Sequence, residues 1–285
     1  MKRLPMLLAG FIFVAGLCIL AYPFVSQYWN GRHQSEVCAV YEEQLANTDE
    51  DTIHADLQTA QAYNQALVQS TQMVDDPFAQ RETLDNESYD DLLDITGDGI
   101  MAYLEIPNID VYLPIYHGVE EKILKKGIGH LPETSLPVGG KSTHAVLCGH
   151  SGMSYAKLFT DLNQLKEGDM FYIHVHQMQL TYMVDQIKTV LPTDTSDLQI
   201  VDGEDYVTLI TCTPYGVNSH RLLVRGTRIS QQEAEQTERT VQHEKIQQES
   251  PQILAWEQEY WKYVVVGIGL AVVLLLVVVV IARRR

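Results

Sequence analysis

The chain has 285 residues, of which 37 are acidic and 20 are basic, and its formal net charge at pH 7 is −17. Nucleic acid binds basic surfaces, so no nucleic-acid partner is expected for so acidic a protein. The four cysteines, Cys18, Cys38, Cys148 and Cys212, match neither a disulfide framework nor a zinc-binding pattern. An unpaired cysteine in an extracellular region is instead a candidate reactive thiol.

Both ends of the chain are apolar. Residues 4–25 contain no charge and follow Lys2 and Arg3, while residues 263–282 lead into three arginines at 283–285. Each run reaches the roughly 20 apolar residues that a membrane-spanning helix needs. A cleaved signal peptide is the alternative for the first run, but its apolar core would have only about 7 to 15 residues. We therefore expect a transmembrane helix at each end, in contact with membrane lipid.

Basic residues flank the two runs only on their terminal sides. The positive-inside rule then places both termini in the cytoplasm and residues 27–262 outside the cell. This outer region contains all 37 acidic residues but 15 of the 20 basic ones, so its formal charge is −22. An anionic membrane surface is a poor partner for a region of this charge.

The segments between the two runs differ in composition. Residues 34–72 are rich in Ala, Gln, Leu and Glu with apolar residues at helical spacing, which predicts one or two amphipathic helices. Proline and glycine interrupt residues 74–99, which predicts a loop with one short helical turn. The expected organisation is an anchor at 1–26, a helical segment at 27–73, a loop and connector at 74–99, a β domain at 100–229, a Gln/Glu-rich spacer at 230–262 and a second span at 263–285.

Short β-rich runs with turn signals between them follow from Ile100 onward. They predict seven or eight strands in a closed barrel or a sandwich. The runs are residues 100–107, 111–116, 143–150, 170–176, 180–192, 206–212 and 222–229. Helical interruptions are expected at 120–126 and 154–165.

Three residues near the ends of these β-rich runs carry candidate chemistry. One run ends on Cys212, the next opens with Arg221 after a turn, and His150 ends a third. Antiparallel neighbours bring the end of one strand close to the start of the next. Nucleophilic catalysis by cysteine needs a thiolate, a histidine that passes a proton and a donor for the oxyanion. The sequence therefore predicts Cys212, His150 and Arg221 as catalytic residues.

The motifs around these residues resemble the sortase family, and within it the class C enzymes that polymerise pilins. The family's Thr-Leu-x-Thr-Cys motif stands at 208–212, and its Asn-x-His-Arg-Leu-Leu-Val-Arg-Gly continuation stands at 218–226. Residues 104–118, 129–140, 149–152 and 156–169 also look like the class C pattern, and the match extends over 74–229. The resemblance implies a mainly β protein with an eight-stranded sortase-type closed barrel and short helices.

The resemblance also implies an activity. Cys212 would attack the Thr–Gly bond of an LPxTG-type sorting signal, His150 would act as general acid and base, and Arg221 would stabilise the oxyanion or orient the substrate. A lysine amine of another pilin subunit would then resolve the thioacyl enzyme, with no cofactor and no metal. Thr208 and Thr211 are candidate substrate-binding residues.

A lid belongs to the same class C pattern. Family members carry Asp-Pro-Trp or a near variant in a loop over the catalytic groove, and this chain has Asp76, Pro77 and Phe78. Phenylalanine keeps the ring but lacks the indole donor. We expect Asp76 to pair with Arg221, and Phe78 to lie against Cys212 and His150.

Several alternatives stay open from the sequence. Arg225 is the second candidate for the cation beside the thiol, and Cys148, where the family usually has threonine, is either a buried residue or a regulatory disulfide partner of Cys212. His174 and His176 would face the same way on a regular strand, but no third metal ligand is evident. The LPET at 131–134 lacks the glycine, apolar span and charged tail of a sorting signal, which favours a loop.

Three other functions would predict different features of the sequence or of Cys212. A papain-like protease would carry its cysteine near the mature N-terminus with histidine well downstream, whereas His150 comes first here. A housekeeping sortase that attaches surface proteins to a cell-wall precursor is a closer alternative. A non-enzymatic surface module would predict no thiol reactivity at Cys212.

Overall fold

The computed structural model describes residues 3–69, 74–78 and 87–237. These residues form eight strands, which are β1 (Ile100–Ile106), β2 (Val111–His117), β3 (Ile128–His130), β4 (Thr143–Cys148), β5 (Met170–Val175), β6 (Met178–Val190), β7 (Asp205–Thr213) and β8 (His220–Arg228). The strands close into a barrel with the order β1-β2-β3-β4-β7-β8-β6-β5. The expectation of a mainly β, eight-stranded closed barrel is confirmed.

Two local predictions differ from the structure. Strand β3 was not predicted, because its three residues are too few to show alternation, yet it joins β2 in parallel and β4 in antiparallel pairing. The helix expected at 154–165 is wrong. That segment forms turns and one short 3-10 helix at Leu162–Gln164, and the backbone at Leu158 has a φ of +42°, which is incompatible with a right-handed helix. The expected interruption at 120–126 is a short helix at Glu121–Leu124.

The helix α1 (Arg3–Ala46) runs without interruption from the apolar N-terminal run onto the barrel. Its described part is long and apolar enough to cross a membrane, and most side chains between Phe11 and Val25 are exposed. An apolar helix near the N-terminus is therefore the membrane anchor of this chain. Because α1 is continuous, the boundary expected at residue 26 is not a break in the helix. It separates the exposed apolar part of α1 from the part that contacts the barrel.

The far half of α1 packs against the barrel. Cys38, Tyr41 and Leu45 are buried at helical spacing against a cluster that includes Tyr103. The hydroxyl of Tyr41 donates to the backbone carbonyl of Met101 at 3.0 Å. This helix is therefore part of the folded domain as well as its anchor.

The helix α2 (Glu50–Val68) follows after a short turn and also docks on the barrel. Asp49 caps its N-terminus by accepting a hydrogen bond from the amide of Thr52 at 2.9 Å. The buried amide of Asn64 makes two bonds to the backbone of Leu136, accepting from N–H at 2.7 Å and donating to C=O at 3.1 Å. The sequence predicts one or two amphipathic helices in this part of the chain, and the structure has the second half of α1 and the whole of α2 there.

The loop predicted at 74–99 contains the expected short helical turn, α3 (Glu87–Asp90). Tyr89 of this turn is buried between His117 and His130, and its hydroxyl lies 2.7 Å from Nδ1 of His130. The segment after the loop is therefore fixed to the barrel.

The end of the chain forms a separate unit that begins at Gln231. Residues 231–237 are helical. Most of the predicted spacer at 230–262, and the whole second span predicted at 263–285, lie outside the described residues.

Candidate active site

The antiparallel pairing of β7 with β8 brings Cys212 and Arg221 together. These two residues are direct partners in the register of the ladder. Directly opposed residues of an antiparallel pair have Cα atoms about 4.5 to 5.5 Å apart, with side chains on the same face. A six-residue turn that contains Pro214 and Gly216 makes this pairing possible, because it joins the end of β7 at Thr213 to the start of β8 at His220.

His150 reaches the same place from the other side of β7. Strand β4 pairs in parallel with β7, with Cys148 opposite Ile210. Continuing both strands by two residues puts His150 level with Cys212. The hydroxyl of Thr211 donates to the carbonyl of Gly149 at 2.8 Å.

Ser151 adds a second link between the two strand ends. Its hydroxyl donates to the backbone carbonyl of Cys212 at 2.8 Å. Ser151 was not identified from the sequence, although it stands in the GHSG motif directly after His150. The hydroxyls of Thr211 and Ser151 together form a clasp that holds the ends of β4 and β7 in register.

The segment 74–78 lies over these residues. Both carboxylate oxygens of Asp76 accept hydrogen bonds from Arg221, at 2.8 Å from Nε and 2.7 Å from Nη2. The two side chains are only 16% and 10% exposed, respectively. This bidentate ion pair is the one that the sequence predicts.

Phe78 covers the groove beside this ion pair. Its ring centroid lies 5.9 Å from that of the His150 imidazole and 5.1 Å from the guanidinium carbon of Arg221. The ring also packs against the buried cluster that contains Cys148. Phe78 therefore lies against His150, as the sequence predicts, and contributes a cation–π contact to Arg221.

The groove has a volume of about 1130 Å³. Its lining includes Phe78, His150, Cys212 and Arg221, together with Asp94 and Asp98 of an acidic turn. This volume would accommodate a peptide, because it exceeds the usual volume of a small-molecule site.

Electrostatics in this closed arrangement favour the uncharged forms of both candidate catalytic groups. Burial raises the pKa of the Cys212 thiol, Arg221 lowers it and Asp76 raises it. Burial lowers the pKa of His150, which Glu121 raises and Lys125 lowers again. Both pKa shifts therefore favour the thiol and the neutral imidazole over the thiolate and the imidazolium.

The two threonines that were candidate substrate-binding residues are buried. Thr211 alternates with Cys212 along β7, so it faces away from the groove and belongs to the clasp. The hydroxyl of Thr208 lies 2.7 Å from Nε2 of His144, whose Nδ1 donates to the carbonyl of Gln199. The structure therefore gives both threonines structural hydrogen bonds and no exposure to a substrate.

Arg225, the alternative cation, is engaged elsewhere. It forms a bidentate pair with Asp185, with Nη2 at 2.8 Å from the carboxylate, and stacks on Tyr206. Arg221 is therefore the arginine that faces Cys212.

The two histidines of the β5 region do not share a face. His174 pairs with Glu105 at 2.9 Å, whereas His176 lies past the end of β5 with a φ of +51° and pairs with Asp56 at 2.7 Å. The alternation that would align them stops with the strand. Across residues 3–69, 74–78 and 87–237, no group of three or more His, Cys, Asp or Glu side chains could hold a metal ion.

Two further features of the sequence have a place in the structure. Leu131 and Thr134 of the LPET sequence are buried in a turn, and the backbone of Glu133 has a φ of +69°. This geometry agrees with a structural loop. Cys148 is buried in β4, and the structure has no disulfide between it and Cys212.

Comparison with known proteins agrees with this architecture. A model of the sortase domain matches residues 104–229. Sortase A of Bacillus anthracis is 30% identical over 166 residues, which cover 56% of this chain and 77% of the relative. The crystal structure of sortase C-1 from Actinomyces oris shares 49% identity over 62% of this chain and 99% of its own, with a TM-score of 0.59. Sortase C of Streptococcus pneumoniae shares 44% identity over 68% and 97% of the two chains, with a TM-score of 0.63.

A closed eight-stranded barrel with a cysteine at the end of β7 and a histidine at the end of β4 defines a cysteine-dependent class of enzyme. The chain belongs to the sortase family, whose members are cysteine transpeptidases, and within it to class C.

Proposed function

We propose that this protein cleaves LPxTG-type sorting signals between Thr and Gly and joins pilin subunits through an isopeptide bond to a lysine amine. The observation that carries the proposal is that Cys212, His150 and Arg221 meet in one groove under the Asp76–Phe78 segment. A crystal structure of a similar sortase C, from Streptococcus pneumoniae, is described as giving insight into pilin substrate specificity.

The first half-reaction is acyl transfer to the enzyme. His150 takes the proton of the Cys212 thiol, and the resulting thiolate attacks the threonine carbonyl carbon while Arg221 donates hydrogen bonds to the developing oxyanion. His150 gives a proton to the glycine nitrogen as the C–N bond breaks. The products are a thioacyl enzyme and a released peptide that begins with glycine.

The second half-reaction returns the enzyme to its starting state. A neutral lysine amine attacks the thioester carbonyl and gives a proton to His150. The C–S bond then breaks as His150 passes that proton to the sulfur, which restores the Cys212 thiol and the neutral imidazole. Water in place of the amine would give hydrolysis, so exclusion of water favours transfer over hydrolysis.

In the resting state, Asp76, Pro77 and Phe78 form a closed lid. Asp76 occupies the donors of Arg221 that the oxyanion needs, and the Phe78 ring covers His150. The lid also favours the protonated thiol, because burial and Asp76 raise the pKa of Cys212. A substrate must displace the lid before either half-reaction begins.

The proposal extends to the membrane topology. Residues 4–25 and 263–282 would each span the bilayer, with both termini in the cytoplasm and the barrel outside. The housekeeping alternative shares the first half-reaction and differs in the amine, which would come from a cell-wall precursor.

The test combines a peptide and two acceptors. The protein should form a thioester with an LPxTG peptide at Cys212, detectable by intact mass, and transfer the peptide to a pilin lysine in preference to a cell-wall amine. Cys212→Ala should abolish both steps without loss of fold, because it removes the nucleophile and little volume. Polymerisation at the wild-type rate in Cys212→Ala would rule out the mechanism, and preferential use of the cell-wall amine would favour the housekeeping alternative.

A further inference from the structure

Four large aromatic side chains project from α1 where it leaves the apolar run. We call Tyr22, Phe24, Tyr28 and Trp29 the aromatic collar; Phe24 and Trp29 are 76% and 74% exposed. Soluble surfaces rarely expose such a concentration of aromatic area. Tyrosine and tryptophan are enriched where a membrane helix crosses the headgroup layer. The collar therefore marks the level at which α1 passes from lipid to water.

The directions of the strands determine which end of the barrel faces this collar. Residues 24–36 of α1 border a cleft with Val111 and Leu113 at the start of β2, whereas Cys38 and Tyr41 pack near Tyr116 and the start of β1. Helix α1 therefore runs alongside β2 in the same direction. Strand β3 is parallel to β2, and β4 is antiparallel to β3, so the carboxyl end of β4 points back toward the collar. The parallel strand β7 shares this direction.

Direct contacts confirm that the catalytic end of the barrel meets α1 next to the collar. The Ser26 hydroxyl lies 3.4 Å from the carbonyl of Ser154, and the Asn30 side chain donates to the carbonyl of Tyr155 at 2.6 Å. Both acceptors stand within five residues of His150 along the chain. The loop that leaves the candidate active site therefore lies at the height of the collar.

The height of the groove above the bilayer follows from helix geometry. The side-chain amide of Gln34 donates to the carbonyl of Lys126, which comes just before β3. Strand β3 pairs with the carboxyl end of β4, and His150 follows that end by two residues. Gln34 is nine residues beyond Val25, the last residue of the apolar run. At about 1.5 Å per residue, this places the groove roughly 14 Å above the end of the span.

We propose that the collar and the loop at 153–157 rest in the headgroup layer of a lipid bilayer, so that the catalytic groove opens toward the membrane. The partner of this surface is the bilayer itself. Insertion of aromatic rings, and not attraction to anionic lipid, holds it there, because the chain as a whole is acidic. What this orientation means for substrates rests on the proposed function. A sorting motif that stands just outside its own membrane span would reach Cys212 without leaving the membrane surface.

Site-directed labels in the full chain test the orientation without using activity. An environment-sensitive dye at Ser154→Cys is compared with the same dye at Lys141→Cys, which lies beyond the opposite end of β4. Both variants carry Cys18→Ala and Cys212→Ala, and both are reconstituted in phosphatidylcholine vesicles that contain a nitroxide-headgroup lipid. We expect at least threefold stronger quenching at position 154. Equal quenching, or stronger quenching at position 141, would overturn the proposal. One of these results is expected if the collar binds another protein instead of the bilayer.

A spacer insertion tests the consequence for substrates. Seven helix-forming residues between Val25 and Ser26 would raise the barrel by about 10 Å while nearly keeping its rotation about α1. We expect cleavage of a membrane-anchored precursor to fall at least tenfold and cleavage of a soluble LPxTG peptide to stay unchanged. The matched control places the same residues after Asn47, in the turn between α1 and α2, where they do not raise the barrel. Equal loss in both variants would overturn the inference, whereas absence of peptide cleavage in the wild type would count against the proposed function instead.

Discussion

The contact between Asp76 and Arg221 joins two charges across one groove, and each shields the other from water. Their side chains are 16% and 10% exposed, and the cost of desolvating both charges offsets the coulombic gain, so the net contribution of the pair is taken as that of a surface pair, about 0 to 1 kcal/mol. The Phe78 ring adds the burial of an aromatic group, about 1.5 to 3 kcal/mol. A lid held by contacts of this size opens thermally for a fraction on the order of 0.1 to 10% of the time.

Loosening the lid should therefore expose the thiol. We expect Asp76→Asn and Phe78→Ala each to increase the rate at which a neutral alkylating reagent modifies Cys212 by about tenfold, the ratio that corresponds to a loss of 1.4 kcal/mol in closure. Asp76→Asn should in addition move the midpoint of the pH–rate profile to lower pH, because Asp76 raises the pKa of Cys212. Asp75→Asn, a change at the exposed neighbouring residue, is the control. Unchanged labelling in both variants would show that residues 74–78 are not a lid.

Two buried histidines predict how stability depends on pH. Burial lowers the pKa of His130 and of His144 to about 4 each, from an ordinary value of 6.5. The unfolded chain therefore binds more protons than the folded chain between pH 6.5 and pH 4, so this contribution to stability is complete above pH 6.5 and is lost as the pH falls through that window. We expect the melting temperature to decrease from pH 7 to pH 5, and His144→Gln to reduce the slope. His33→Gln, on the exposed face of α1, should leave the slope unchanged.

At the scale of elements, the docking of α2 depends on one side chain. Asn64 is buried, and its amide satisfies both backbone groups of Leu136. Asn64→Leu leaves a donor and an acceptor without partners, at a cost of about 1 to 3 kcal/mol each. We expect a reduction of about 2 to 6 kcal/mol in the free energy of unfolding by urea. Gln61→Leu on the exposed face of the same helix is the control, and an equal effect there would show that Asn64 has no special role.

Much of this architecture could be predicted from sequence because strands and motifs carry strong local signals. The β-rich runs located seven of the eight strands, and the expected pair between Asp76 and Arg221 is present. Strand β3 could not be predicted, because three residues have no measurable period and its place depends on neighbours distant in the chain. The clasp of Thr211 and Ser151 is likewise a product of the parallel pairing of β4 with β7. Strand alternation, however, already indicates that Thr211 faces away from Cys212.

At the scale of the whole molecule, the topology of the membrane segments can be tested directly. Basic residues flank both apolar runs on their terminal sides, so we expect both ends to be cytoplasmic. Protease added to intact protoplasts should digest the middle of the chain and spare a tag at either end. Loss of the C-terminal tag alone would leave a single N-terminal anchor, and loss of the N-terminal tag would reverse the orientation of α1.

The parallel pairing of β4 with β7 also has a consequence for how the enzyme matures. The residues that it joins, His150 and Cys212, are separated by 62 positions, and a parallel pair needs a crossover that cannot form early. Contacts over such distances are formed late in folding, because the entropy of closing the loop must be overcome first. A chain in which β4 and β7 have not yet paired therefore has its cysteine without the neighbouring histidine. Under the proposed mechanism, transpeptidase chemistry begins only when the barrel closes, which protects the folding enzyme and its neighbours from premature acyl transfer.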